Sequence, residues 1–560
     1  MKFLNPKFTI AKQQALLIYY LLRRNRKLCL FTIIMVGGFS RFYNLNWDQG
    51  HFFHPDERNI AMAVSNIRFF DQLNPHFFAY GSFPIYLYRA VCDLLFNLTG
   101  DIKWINEWPN INLVGRFFSA LFSTASIALI FLLGKKLVNK NFGLLAAFLM
   151  AFNASLIQTA HFGVTESMLV FWLLLITLLS LKISGKPTIK YYLLTGIVFG
   201  LAVSTKISAL SFVVIPATAH FLFHFRKRLN HLNFLVFLFF SFSFFTIFSP
   251  YVFLDQVKFL ESMNYETAVA LGHLKVPYIL QFEKTQSYLF QIKNFFWQMG
   301  PSFVLAIPGA LLFLLYSFKK KDKKLLIILI FPVVYFIYVG HWYTKFLRYM
   351  VPVLPFLILF ASWFIWELKK KYKILGTLIL SLILILTFLW SIAFFSIYTR
   401  PQTRIAASEW VYQNITPGAK ILTEHWDDGL PVDLGQNSPG QYNNEQLTIY
   451  EPDNQIKLIY YAQKLSNADY IIINSRRLYG TLIYLPEKYP LTSRYYQLLF
   501  SGKLGYTKVA EFTSYPQIFG VQINDDSSEE TFQVYEHPKV IIFKNQSRLS
   551  FQNLARILNQ

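Results

Sequence analysis

Apolar runs of about twenty residues recur through the first four hundred positions, and short basic clusters punctuate them. A run of that length spans the hydrocarbon core of a bilayer as a helix, because only a helix satisfies every backbone polar group without water. This alternation rules out a soluble globular fold. Composition agrees: 54% of the chain is hydrophobic, 59 residues are Phe and only 15% are charged, too few charges to coat a soluble domain of this size. The net charge of +23 does not indicate nucleic acid, since the basic residues gather on no single domain. They sit between apolar runs, the pattern of a positive-inside membrane protein in contact with lipid. Cys29 and Cys92 are the only cysteines, so there is no disulfide framework.

The clusters at 23–27, 135–140, 182–190, 226–228, 319–324 and 369–373 set the topology. If all are cytoplasmic, an even number of crossings separates each neighbouring pair. The apolar runs then fall near 28–46, 111–133, 142–160, 165–182, 192–206, 207–225, 232–250, 302–318, 325–341, 349–367 and 374–397. The expectation is an all-α polytopic protein of about eleven transmembrane helices, N-terminus cytoplasmic and C-terminus outside. The tightest step is 192–225, where two spans share a short stretch and the chain turns back at Lys206. No small-residue cleavage site follows the first apolar run, which is expected to stay as an anchor.

Three units follow from this reading: a basic cytoplasmic segment 1–27, a transmembrane domain 28–397 with outer loops 47–110 and 251–300, and an outer segment 398–560. The last changes character. "ASEWVYQN" reads as a helix, "AKILTEHW", "ADYIIINS" and "KVIIFKN" as short β-branched strands, and "SRYYQLLFSGKLG" as helical, which predicts a small α/β domain.

The outer loops hold the chemistry. In "FHPDERNI", Pro55 suits the first turn of a helix, and Asp56 and Glu57 oppose its positive dipole end. Neighbouring helical residues point about 100° apart, so the two acids serve different tasks. In "QTAHFGVTESMLVFW", Thr165 can cap a helix that opens with Glu166, while His161 reads as a hydrogen-bonded core histidine or as a ligand. Lys206 lies inside an apolar stretch, where an ionisable residue is costly and points to function unless it snorkels to the surface. "HWYTKFLRYMVPVLP" puts Lys345 and Arg348 at the outer side, where topology does not favour cations but a phosphate would.

"HPDERNIAMAV", "YGSFPIYLY", "HFGVTESMLVFWLLL", "GIVFGLAVSTKISAL", "SPYVFLD" and "RYMVPVLPFL", in this order, resemble the GT-C class of lipid-carrier-dependent glycosyltransferases, the group of protein O-mannosyltransferases and lipid A aminoarabinose transferases. The likeness spans about 1–397. Glu166 stands where the family often has Asp, and Ile207 where it often has Gly. The resemblance implies a polyprenyl-phosphate sugar donor, a lipid, glycan or protein acceptor and transfer with inversion at the outer face of a bacterial cytoplasmic membrane. It implies Asp56 as general base with Glu57 supporting it, and Lys206, Arg348 and Lys345 as phosphate-binding cations. Glu166 and His161 are left for the acceptor or for an optional divalent cation; no other cofactor is implied. A transporter with an outer domain is the alternative, although the inverted repeats and broken midplane helices of that class are not visible.

Overall fold

The computed structural model describes residues 25–224, 228–320 and 322–560. Most of the expected 1–27 segment, two residues of the 226–228 cluster and position 321 lie outside the described residues. Each apolar run expected to cross the membrane is mostly helical among the described residues. Among the described residues, eight helices are long and apolar enough to span a bilayer, including Trp108–Leu137, Glu166–Ile183, Ile207–His224 and Leu347–Lys371. A ninth is the pair Lys140–Ala151 and Ala154–His161, bent by 62°. The difference from eleven lies in Arg26–Phe42 and Ile189–Thr205, each of 17 residues. At 1.5 Å per residue these reach only about 25 Å, slightly less than the hydrocarbon thickness.

Arg41, which the sequence reading passed over, makes the bend tolerable. The side chain is fully buried and donates to the carbonyls of Met150 (2.9 Å) and Ala151 (2.8 Å) at the break, to Gly37 and to Ser123 Oγ. Those carbonyls would otherwise be orphaned in an apolar interior.

Residues 398–560, the segment expected to lie outside and called the outer domain for that expectation, fold as an α/β domain. Its main sheet has β1 (Lys420–Glu424), β2 (Asn443–Leu447), β3 (Tyr470–Ile473), β4 (Tyr506–Phe512) and β7 (Val540–Asn545), in the order β2-β1-β3-β7-β4. A separate hairpin joins β5 (Gln517–Ile518) to β6 (Val521–Gln522). The first three strands of the main sheet run parallel, and β7 and β4 are antiparallel to their neighbours. Runs such as "YIII" are apolar at consecutive positions because both faces are covered. Ile421, Ile472 and Ile542 pack against the Thr403–Asn414 helix. Leu422, Ile471, Ile473 and Phe543 pack against Gln455–Asn467 and Pro490–Phe500. The sequence reading found β1, β3 and β7 but missed β2, whose "NNEQL" is a polar edge strand with no alternating apolar face, and β4.

A buried joint ties the outer domain to the membrane helices, and exposed ion pairs such as Lys284–Glu487 add to it. Gln158 donates to the Phe532 carbonyl (3.0 Å) and to Glu536 (2.6 Å), the Asn294 side chain accepts from the Glu529 backbone (2.8 Å), and Phe394 packs on Phe532. Behind this joint His537 is wedged between Asp525 (2.8 Å) and Glu536, and their carboxylates lift its imidazole to about 9 against the effect of burial.

Candidate active site

Pro55–Ser65 forms the helix expected after "FH", with Pro55 in the first turn. Its cap is His54, whose Nδ1 accepts from the Asp56 backbone at 3.2 Å. Burial, followed by nearby arginines, pushes His54 well below the usual imidazole range. A neutral ring with the proton on Nε2 is the form that can accept there. The ring also lies 4.0 Å from that of Tyr535 in the outer domain.

The two adjacent acids then diverge. Glu57 turns inward and is 1% exposed. It takes both arms of a fork from Arg116 (2.8 and 2.7 Å), while Asp48 takes the other pair at 2.8 and 2.7 Å. The Gly163 amide also donates to Glu57 at 2.5 Å. A side chain at Gly163 would come within 2.7 Å of Asn112 Oδ1, so the Asn112 side chain would have to turn aside to admit one. Arg116 completes its bonds on the Leu45 carbonyl and lies against Trp47. Neither Asp48 nor Arg116 stood out in the sequence, since each is an ordinary charge near a helix end until the fold buries the pair. Together they pin the first loop, the Trp108–Leu137 helix and the 161–165 turn.

Asp56, facing the other way, reaches a cavity. Its Oδ2 accepts from Tyr80 Oη at 2.9 Å and pairs with Arg348. Arg348 Nε is buried and has no partner among the described residues, an unsatisfied donor beside the site. Tyr80 is placed by Gly81, whose amide donates to the Thr205 carbonyl at 3.1 Å. A Cβ there would collide with the Ser204 carbonyl, so only glycine lets the loop close on the helix end.

That helix end is the turn expected at Lys206. Ile189–Thr205 stops there, the backbone is extended at Lys206, and a 3-10 stretch Ile207–Val213 leads into Val214–His224. Lys206 does not merely snorkel. Its ammonium pairs with Glu166 Oε1 at 3.1 Å and lies 4.8 Å over the Tyr80 ring. Glu166 opens its helix as expected, but Thr165 makes no capping bond with its side chain.

Asp56, Lys206 and Arg348 line a single cavity of about 780 Å³, and Glu166 stands behind Lys206. Glu266 faces the same space; burial lifts its carboxyl and Lys206 draws it back. Two expected residues do not reach it. Lys345 is buried against the Phe282 and Tyr343 rings and donates to the Tyr343 carbonyl at 2.7 Å. Burial pulls its ammonium down to about 8. A lysine beside aromatic rings on this segment cannot be told by sequence from Arg348, three residues on. The two ring nitrogens of His161 face the carbonyls of Ile157 (2.8 Å) and Tyr43 (3.0 Å), only one of which a neutral ring can donate to, and the ring stacks on Tyr398 at 3.6 Å. Held there, His161 does not line the cavity. Among the described residues no group of three His, Cys, Asp or Glu side chains is arranged to hold a metal.

The cavity's outer wall comes from the α/β domain: His425, Trp426, Asp427 and Asp428 after β1, Tyr450 after β2, Arg477 after β3, and Glu530, Thr531 and Tyr535 from the joint. Ion pairs brace it, Arg58 to Asp428 at 3.1 Å and Arg477 to Glu530 at 2.8 Å.

Residues 110–253 match the family described as dolichyl-phosphate-mannose-protein mannosyltransferase. No curated protein sequence matches the chain. Among solved structures, the Archaeoglobus fulgidus oligosaccharyltransferase tethered to an acceptor peptide has a TM-score of 0.51 at 14% identity, over 89% of this chain and 75% of that one. ArnT from Cupriavidus metallidurans in the apo state has a TM-score of 0.44 at 12% identity, over 93% and 98%. Residues 110–253 are thus similar to that family, the chain shares the fold of the oligosaccharyltransferase, and its apolar helices are those of an integral membrane protein. The matched segment itself contains Arg116, Glu166 and Lys206.

Proposed function

We propose that this protein moves a sugar from a polyprenyl-phosphate donor to an acceptor at the outer face of a bacterial cytoplasmic membrane, with inversion, and that Asp56 is the general base. The observation that carries this reading is the meeting of Asp56, Lys206 and Arg348 in one cavity between the membrane helices and the outer domain. Attack by an acceptor hydroxyl or amine on the anomeric carbon forms the new glycosidic bond as the bond to the phosphate oxygen breaks. The acceptor's proton passes to Asp56, and the electron pair leaves on the polyprenyl phosphate. Lys206 and Arg348 neutralise the charge that develops there.

The pairings give each residue a task. Arg348 is paired with Asp56, so an arriving phosphate draws the guanidinium to itself and frees the carboxylate. Glu166 holds Lys206 at the cavity wall. Glu57, locked on Arg116, fixes the start of the helix that aims Asp56. The N-terminus is placed in the cytoplasm and the C-terminus outside. Supporting this orientation, Lys136, Lys182, Lys186 and Lys324 gather at the helix ends around a different depression. On the Glu166–Ile183 helix, Lys182 lies about 24 Å along the axis from Glu166.

The test is incubation of the purified protein with a panel of polyprenyl-phosphate sugars, scored by release of polyprenyl phosphate. Release from none of them would refute the reading.

A further inference from the structure

The outer domain's part in the cavity follows from its topology. In the order β2-β1-β3, β1 precedes both neighbours, so the chain leaves β1 to one side for β2 and crosses back to the other for β3. The crevice between β1 and β3 is a topological switch point. Ligands of open parallel sheets bind there, outside the carboxyl ends of the strands. The residues just past those ends are His425, Trp426, Asp427 and Asp428 after β1, and Arg477 after β3. All five line the reaction cavity. The switch point of the outer domain therefore opens into the same space as Asp56, Lys206 and Arg348.

The chemistry of this wall differs from that of the membrane side. Asp428 and Glu530 are each matched by an arginine, Arg58 and Arg477, and Asp427 pairs with Arg404 at 3.1 Å. A wall of matched charges offers an ionic ligand little, but it presents many fixed donors and acceptors to a neutral polyhydroxyl one. Trp426 stands among them 47% exposed, edge-on to Tyr450 with ring centroids 6.3 Å apart. Its φ of +85° is a conformation that aromatic residues rarely hold, and such strain gathers at ligand sites. An indole face left open in a polar wall is complementary to the C–H face of a sugar ring, whose hydroxyls then meet the surrounding polar groups.

Resting on the proposed transferase reading, we infer that the β1/β3 switch point is an acceptor subsite for a neutral carbohydrate, with a sugar ring stacked on Trp426. The acceptor is a glycan rather than a polypeptide, and its hydroxyl is delivered to Asp56 from the outer-domain side.

The experiment uses the full-length protein in lipid nanodiscs. Saturation-transfer NMR is recorded with neutral hexose and N-acetylhexosamine disaccharides, and separately with a serine- and threonine-containing peptide. Undecaprenyl phosphate binding is followed in parallel by native mass spectrometry. The expected result is saturation of sugar ring protons by the wild type. Trp426→Ala should weaken that binding at least about threefold, the loss of one aromatic contact, with undecaprenyl phosphate binding and melting temperature unchanged. Gln446→Ala, an exposed change on the same wall, should weaken it less while leaving the fold intact. No saccharide saturation, saturation of the peptide alone, or undiminished saturation in Trp426→Ala would each overturn the inference. Saccharide saturation without undecaprenyl phosphate binding would keep the sugar site and refute the donor reading.

Discussion

Asp56→Asn separates the two tasks proposed for Asp56. The amide keeps the size of the side chain, the helix start and an oxygen for Tyr80 Oη, which now lies 2.9 Å from the carboxylate. It removes the base and the negative charge on which Arg348 rests. Loss of general base catalysis lowers turnover by about 10²–10⁴-fold. Donor affinity moves the other way. The side chains of Arg348 and Asp56 are 30% and 18% exposed, so water does not fully screen their pairing. A charge-assisted bond of this kind is worth about 1.5–3 kcal/mol, and the donor phosphate must break it to recruit Arg348. Without that competitor, the donor should bind about ten- to a hundredfold more tightly. The assay sets the single-turnover transfer rate beside the donor dissociation constant for the variant and the wild type. Near-normal transfer would sink Asp56 as base. Slow transfer with weakened donor binding would show that Asp56 helps hold the phosphate site together, refuting the competition between carboxylate and phosphate.

Arg348→Ala should weaken donor binding about ten- to a hundredfold, the cost of a charged hydrogen bond, and unchanged binding by titration would place the phosphate elsewhere. Lys206→Ala should also destabilise the protein, because it strands Glu166, which is only 2% exposed. Lys206→Met combined with Glu166→Gln should restore the melting temperature but not donor binding, and recovery of both would make Lys206 purely structural. Lys345→Met should leave donor binding and turnover at wild-type levels, and a tenfold loss in either would return Lys345 to the site. Since the folded state raises His537 to about 9, its contribution is complete below the unfolded value near 6.5 and is lost as pH rises through 9. Thermal melts should show the joint at Phe532 loosening across that window in the wild type, but not in His537→Gln. With Cys29 and Cys92 replaced by serine, a cysteine at Lys186 should label only from the cytoplasm and one at Asn437 only from outside; the reverse at Asn437 would overturn the orientation.

The membrane architecture was legible in the sequence because bilayer burial leaves a local trace. A helix must satisfy its own backbone over about twenty apolar residues, and lysines mark the ends that stay in water. The helix at Pro55 and the turn at Lys206 were legible for the same reason, each written in a few consecutive residues. The strands β1, β3 and β7 announced themselves by apolar runs, whereas β2 could be recognised only through its pairing with β1.

Tertiary structure alone decided which charge does what. Asp56 and Glu57 are equivalent in sequence, yet Arg116, 59 residues beyond Glu57, buries one, while Arg348, 292 residues beyond Asp56, meets the other at the cavity. Lys345 and Arg348 differ by three positions, and aromatic packing withdraws the first while the second faces the site. His161 read alone as a core histidine and beside the acids as a ligand, until the fold set its ring nitrogens against the Ile157 and Tyr43 carbonyls. The outer domain's share of the cavity could not be assigned to residues from the sequence, because it depends on where the carboxyl ends of β1 and β3 land after the joint at Gln158 and Phe532 has docked. The apolar pattern that marks a buried face is a local property of the chain and can be read there. Charge pairing depends on distance in space, and residues hundreds of positions apart acquire that distance only when the chain has folded.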